Sequence, residues 1–179
     1  IGARRELKAA TEAHWKGELD QAGLKETAKE LRRRHWDLQK AAGLDYVTVG
    51  DFAFYDHLHN VTALFGAAPK RFDLSSVDLS GYFAMARGTP QQPALAMKKW
   101  FNTNYHYLVP EIGADTQFKL NRDWLLPEVR EARELGYAVK VVLPGPLTWL
   151  WLASAESGFD KLQLLSSLLN SYWVFLGDL

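Results

Sequence analysis

Ala138-Val139-Lys140-Val141-Val142-Leu143 runs directly into Pro144-Gly145-Pro146. Six residues, three of them β-branched valines, stopped by two prolines predict a short strand buried between layers, since proline cannot donate to a sheet ladder. Just upstream, Trp124 to Leu135 has the composition of a helix, closed by Gly136. The same order occurs earlier in the chain. A helical pattern from Glu26 to Ala42 puts Ala28, Leu31, His35 and Leu38 on one side and Lys29, Arg32, Arg33 and Lys40 on the other. Gly43 ends it, and Tyr46-Val47-Thr48-Val49 follows as a strand bounded by Asp45 and Gly50. Helix, glycine and buried strand, twice over, predict an α/β fold of parallel strands with helical crossovers.

Outward from these two units the pattern is less regular. Arg4 to Lys16 are strong helix formers, with Leu7, Ala10 and His14 or Trp15 at helical spacing. Residues 56 to 66 are compatible with a helix, Gly66 to Ser80 reads as loop, and Gly88-Thr89-Pro90 breaks the chain after a short segment at Val77 to Met85. In Trp100-Phe101-Asn102-Thr103-Asn104-Tyr105-His106-Tyr107, period-two alternation places Trp100, Asn102, Asn104 and His106 on one face. Its first half is expected to be a strand and its second half that strand's polar exit. After Pro146 a further helix is expected. The last helix shows Leu162, Leu165, Leu169 and Trp173 at helical intervals, with Ser157 as N-cap candidate and Asp160 three residues on. No repeat, low-complexity tract or linker is visible, so residues 1–179 read as a single domain. Three strands, with Ile1 as the stump of a fourth, are too few for a closed eight-stranded barrel of about 250 residues. The sheet is either small and open or a piece of something larger.

The chain carries 21 basic and 21 acidic residues and 47% hydrophobic residues. Zero net charge supplies no general field for nucleic acid or anionic lipid, so a charged ligand must be held by a local cluster. Without cysteine there is neither a disulfide, a thiolate metal site nor a thiol nucleophile. The longest apolar run, near Leu147 to Ala155, falls short of the roughly 20 residues of a membrane-spanning helix, and no secretory signal pattern opens the sequence. No membrane and no nucleic-acid partner is expected, and a cytoplasmic location is.

Arg4, Arg5 and Lys8 stand where a helix begins, the end that favours anions over cations. Arg5 and Lys8 are spaced i,i+3 and can converge on one carboxylate-bearing ligand. The competing reading is that they are solvated and neutralised by Glu6 and Glu12. Lys98-Lys99 forms a second basic doublet, of which only one member can face a given pocket if the segment is a strand. Asp51, Asp56, His57 and His59 have the residue types of a metal site, but two histidines two apart on a helix diverge. His106, at the end of the Asn102 and Asn104 alternation, is a pocket candidate because strand exits carry the sites of α/β folds. GxSxG, Walker A and GxGxxG patterns are absent. The aromatics lie within apolar runs without basic interleaving, so they read as core.

Five stretches in order, Ile1-Gly2-Ala3-Arg4-Arg5-Glu6-Leu7-Lys8, Arg34-His35-Trp36, Val49 to His57, Lys99 to Tyr107 and Gly145 to Trp151, resemble the amino-terminal domain of cobalamin-independent methionine synthase. The resemblance covers nearly the whole chain. It implies a partial, half (β/α) TIM barrel, and a parent protein that transfers a methyl group from 5-methyltetrahydropteroyl-polyglutamate to homocysteine. It further implies that Arg5, Glu6, Leu7, Lys8 and Lys99 bind the glutamate tail of 5-methyltetrahydrofolate polyglutamate, in agreement with the anion reading. The family's zinc and homocysteine groups belong to a carboxy-terminal barrel whose motifs are not in this sequence, so no catalytic or metal residue is expected here and the chain alone is expected to be inactive. The sequence starts inside the family's first-strand motif and resembles the first half of the amino-terminal barrel. Unpaired strand edges in such a piece predict either a homo-oligomer or cover by the remainder of the parent chain. The alternative function is a non-catalytic truncated homologue that self-associates and binds folate or a protein partner.

Overall fold

The computed structural model describes residues 1–179 and resolves into two compact units. The first comprises residues 1–54 and 129–142 and the second residues 55–128 and 143–179. Strands pair in three separate two-stranded sheets, two parallel and one antiparallel, with no closed barrel. No helix is long and apolar enough to cross a membrane.

In the first unit, helix α1 (Glu6–Trp15) and helix α2 (Gln21–Ala41) precede strand β1 (Val47–Val49), which pairs in parallel with a later strand, Val139–Val141. α2 begins earlier than expected because the Asp20 carboxylate accepts the Gly23 N–H at 2.7 Å. Leu24, Ala28 and Leu31 form its buried stripe, but Leu38 is 62% exposed and Trp36 is buried in its place. The Trp36 indole N–H donates to the Thr48 carbonyl at 2.8 Å, and the Gln39 side-chain oxygen accepts the Thr48 N–H at 2.9 Å. These bonds dock the end of the helix onto β1. Gly43, at φ +85°, stops α2 as expected, with the Leu44 N–H returning to the Gln39 carbonyl. Val47 and Val49 are buried, worth about 1.5–2 kcal/mol each. Their partners Val139 and Val141 are only half-buried and Lys140 is exposed, so the second predicted strand is not enclosed between layers.

The second unit contains α3 (His57–Leu64), α4 (Leu79–Arg87), the antiparallel pair β2 (Met97–Lys99) and β3 (His106–Leu108), and the parallel pair β4 (Glu111–Ile112) with β6 (Ser154–Ala155). Helix α5 (Leu126–Glu134) and strand β5 (Val139–Val141) come between β4 and α6 (Pro146–Leu152) in the chain, and α7 (Leu165–Gly177) closes it. The unit's core gathers Phe65, Trp149, Leu150, Leu168 and Phe175. Phe65 lies 4.5 Å from the Tyr172 ring and edge-on to Phe175.

Three sequence expectations fail here. The aromatic stretch is not a strand followed by an exit: residues 100–105 are the tip of a hairpin, and the strand begins where the exit was expected. Trp100, Asn102, Asn104 and His106 therefore share no strand face. In α7 the buried residues are Leu168, Tyr172 and Phe175, while Leu162, Leu169 and Trp173 are exposed, Trp173 by 79%. Ser157 caps nothing. Asp160 does, accepting the Leu162 N–H into a 3-10 turn at Lys161–Leu164 that leads into α7.

Candidate functional site

The basic turn that opens the first unit is built on two left-handed backbone positions. Gly2 sits at φ +82° and Arg5 at φ 63°, ψ 33°. The Arg5 N–H donates to the Gly2 carbonyl and the Leu7 N–H to the Ile1 carbonyl, both at 3.1 Å, and buried Leu7 anchors the turn. Arg5 thus precedes the helix with a backbone that costs an L-residue about 1–2 kcal/mol. Helical spacing consequently does not put its side chain on one face with Lys8.

Glu6 explains how the turn holds. Its carboxylate accepts the Arg4 N–H at 2.9 Å and the Arg34 guanidinium at 2.9 Å. Its own backbone N–H first, then those of Arg4 and the Arg34 side chain, hold the carboxyl down at about 2 against the burial that opposes them. Glu6 is therefore anionic and committed to the turn and to Arg34. Lys8 pairs with Glu12 one turn along, drawing the Glu12 carboxyl below its ordinary range. Arg5 is exposed, and Arg4 has 88% of its side chain exposed.

Gly2 leaves no room for a side chain. A Cβ there would stand 2.2 Å from a Glu6 carboxylate oxygen and 2.9 Å from Leu31 Cδ2. Gly2→Ala is expected to lower stability by about 2 kcal/mol, from the left-handed backbone plus displacement of its neighbours. Urea titration checks it, and a loss within about 0.5 kcal/mol would mean that the turn yields.

Lys99 belongs to the second unit, at the end of β2 opposite His106. Met97, Lys98 and Lys99 are all exposed, so the strand keeps neither lysine buried against a layer. The loop it enters is fixed by its own bonds. Trp100 N–H donates to the Tyr105 carbonyl at 2.7 Å, and the Trp100 carbonyl accepts both the Thr103 N–H and its hydroxyl. Asn102, Asn104 and His106 are exposed on this loop and its edge, with a His106 ring N–H donating to the Asn104 carbonyl at 2.9 Å.

Behind the loop lies a polar knot. Buried Asp56 caps α3 through the Leu58 and His59 N–H groups at 2.7 and 3.0 Å, and its other oxygen accepts the Leu108 N–H at 2.9 Å. Burial outweighs these three donors and pushes the carboxyl up to about 6. The Tyr82 hydroxyl receives the Tyr55 and Asp56 N–H groups. His59 donates to the Tyr82 carbonyl at 2.9 Å, and burial lowers its imidazole to about 4. His57 stacks on Tyr105, with 2.9 Å between its Nδ1 and the Tyr105 hydroxyl. The two histidines are engaged separately, and nowhere do three His or carboxylate side chains gather as metal ligands. The residue set does not fit a zinc ion.

Sequence reasoning missed a cavity of about 610 Å³ where β4 and β6 end, lined by Lys70, Arg71, Glu111, Thr116 and Glu156 among others. Arg71 grips Glu111 with two bonds of 2.7 and 2.9 Å. Forty residues separate the pair, so no local spacing could have signalled it.

Over residues 1–179 the chain matches the family described as "Cobalamin-independent synthase, N-terminal domain". It is 52% identical over 175 residues to a Paraburkholderia xenovorans protein, covering 96% of this chain and 23% of that protein. It is 52% identical over 177 residues to a Nitrosomonas europaea protein, with the same coverages. A Photobacterium profundum protein is 50% identical over 184 residues, covering 100% of this chain and 24% of that protein. All three are named 5-methyltetrahydropteroyltriglutamate–homocysteine methyltransferase. The chain spans about a quarter of the length of these curated relatives.

Proposed function

The chain belongs to the cobalamin-independent synthase N-terminal domain family, and from that premise we propose that it supplies the folate-tail side of a methyl transfer from 5-methyltetrahydropteroyltriglutamate to homocysteine. The observation that carries this reading is the turn at Gly2–Lys8, where Glu6 is spent on backbone N–H groups and Arg34 while Arg5 stays exposed. A rigid turn presenting guanidinium groups is suited to a string of carboxylates, since arginine binds them bidentately and little order is lost on binding. In this proposal Arg5 and Lys8 contact glutamyl carboxylates, and Glu6 and Leu7 are positioning residues that keep the turn. Lys99 supplies a further cation, and Asn102, Asn104 and His106 offer polar contacts. Lys8 would have to exchange Glu12 for a ligand carboxylate.

Residues 1–179 would then be one domain, the first half of an amino-terminal (β/α) barrel, acting in the cytoplasm. The zinc, the homocysteine site and turnover belong in this reading to the rest of the parent protein. The exposed apolar residues Trp151, Leu169 and Trp173 favour a covering surface, either that remainder or a second copy of a self-associating homologue.

Titration with 5-methyltetrahydropteroyl-monoglutamate and its triglutamate tests the reading. The triglutamate is expected to bind at least tenfold more tightly, with the advantage shrinking in added salt and under Arg5→Ala or Lys8→Ala. Equal affinities for the two ligands would discard it.

A further inference from the structure

The hairpin tip carries an aromatic ring, Phe101, that stands largely outside the fold's packing. Phe101 is 61% exposed and stands at φ +50°, a backbone region that an L-residue enters only at a cost in free energy. An exposed ring gains little packing to offset it. Its ring neighbour is Trp100, at 5.2 Å and 87° in a T-shaped pair, and most of the Phe101 ring stays open to solvent. Tyr105, across the tip, has His57 stacked against it at 5.2 Å and remains 42% exposed. Bonds from the Trp100 N–H to the Tyr105 carbonyl, and from Thr103 to the Trp100 carbonyl, close the tip around Phe101 and hold its backbone in that conformation. Strain maintained by surrounding bonds at an exposed position is where a binding role is expected. Directly before the rings, Lys98 and Lys99 are exposed cations.

We propose that this tip is a stacking platform for the p-aminobenzoyl ring of the pteroyl ligand, with Phe101 and Tyr105 against the ring and Lys99 toward the first glutamyl carboxylate. The inference rests on the folate reading above and adds the part of the ligand that the cations do not explain. An aromatic ring followed at once by an anion is the ligand's own order, and the hairpin presents its complement: the exposed Phe101 ring two residues from exposed Lys99, with Tyr105 across the tip. A ring-lined surface without a cation would suit any apolar partner, and a lysine doublet without rings would suit any anion.

The test uses Phe101→Gly, because glycine accepts φ +50° without strain. A ring kept for binding predicts two opposite changes in one variant of the intact protein. Thermal stability holds or rises by roughly 2–4 °C, while affinity for both the mono- and triglutamate forms of 5-methyltetrahydrofolate falls roughly tenfold, as for loss of one stacking contact. Binding of γ-linked triglutamate peptide, which has no ring, stays unchanged. Undiminished affinity for the pteroyl ligands, or a Tm lowered by several degrees, would overturn the platform. Failure of the tail reading looks different: the triglutamate advantage and the Arg5→Ala effect vanish, whatever Phe101→Gly does to monoglutamate binding.

Discussion

Asp56→Asn is expected to change the stability gap to the parent protein by about 3 kcal/mol between pH 4 and pH 7. The Asp56 carboxyl is raised by burial from its ordinary 3.8 to about 6. A raised carboxyl pKa means that the native state prefers the neutral acid, so this contribution is complete below about pH 4 and lost as pH climbs through 6. Two units at 1.36 kcal/mol each set the size. His59 opposes it. Its pKa is lowered by burial to about 4, so its contribution is present above 6.5 and lost as pH falls toward 4. Among the groups around the knot, His57 is also lowered, while Tyr82, Tyr105 and Tyr107 are raised and stay neutral throughout. Asp56 should therefore offset much of the loss from His59 and His57, so that the parent protein declines only gently on acidification in this window. The asparagine variant, lacking the Asp56 term, should lose stability steeply on acidification. Urea unfolding of both proteins at pH 4, 5, 6 and 7 reads this directly, and parallel profiles would refute the assignment.

Trp149→Ala should cost about 3–5 kcal/mol at any of these pH values. Trp149 is 1% exposed, with Phe118 edge-on at 5.8 Å and its indole N–H donating to the Thr62 hydroxyl at 3.2 Å. Helix α6 has only seven residues, too few to hold as a helix by propensity, so it depends on Trp149 and Leu150 reaching the core. The helix also leads directly into β6 through the Ala153 N–H bond to the Trp149 carbonyl. Loosening it therefore reaches the rim of the cavity at Ser154 and Glu156. Trp149→Phe keeps most of the volume and should lose about 1–2 kcal/mol, the share of the missing atoms and the orphaned hydroxyl. Thermal melts of the pair separate the two contributions, and a loss under about 1 kcal/mol for alanine would contradict the packing.

These buried groups were among the least legible in the sequence. Asp56, His57 and His59 look like candidate metal ligands when read in order, and only their separate partners at Leu108, Tyr105 and Tyr82 reveal a cap, a stacking ring and a core histidine. Likewise Leu162, Leu169 and Trp173 have sound helical spacing, but spacing does not say which stripe faces inward when both stripes are apolar. The hairpin tip misled because alternation of side chains is meaningful only inside a strand, and a left-handed residue at Phe101 ends that regime.

What was determined locally is what local physics controls. The helix stops at Gly43 and Gly136, the strands at Val47–Val49 and Val139–Val141, the cation-rich opening and the family follow from residue order, because caps, β-branching and motif spacing act within a few residues. Tertiary structure alone decided that Glu6 is occupied by Arg34, 28 residues away, that Arg71 meets Glu111, and that Phe101 is held strained and open. Each depends on partners brought together by chain closure, and the free energy of such contacts is spread over distances in sequence that no periodicity records.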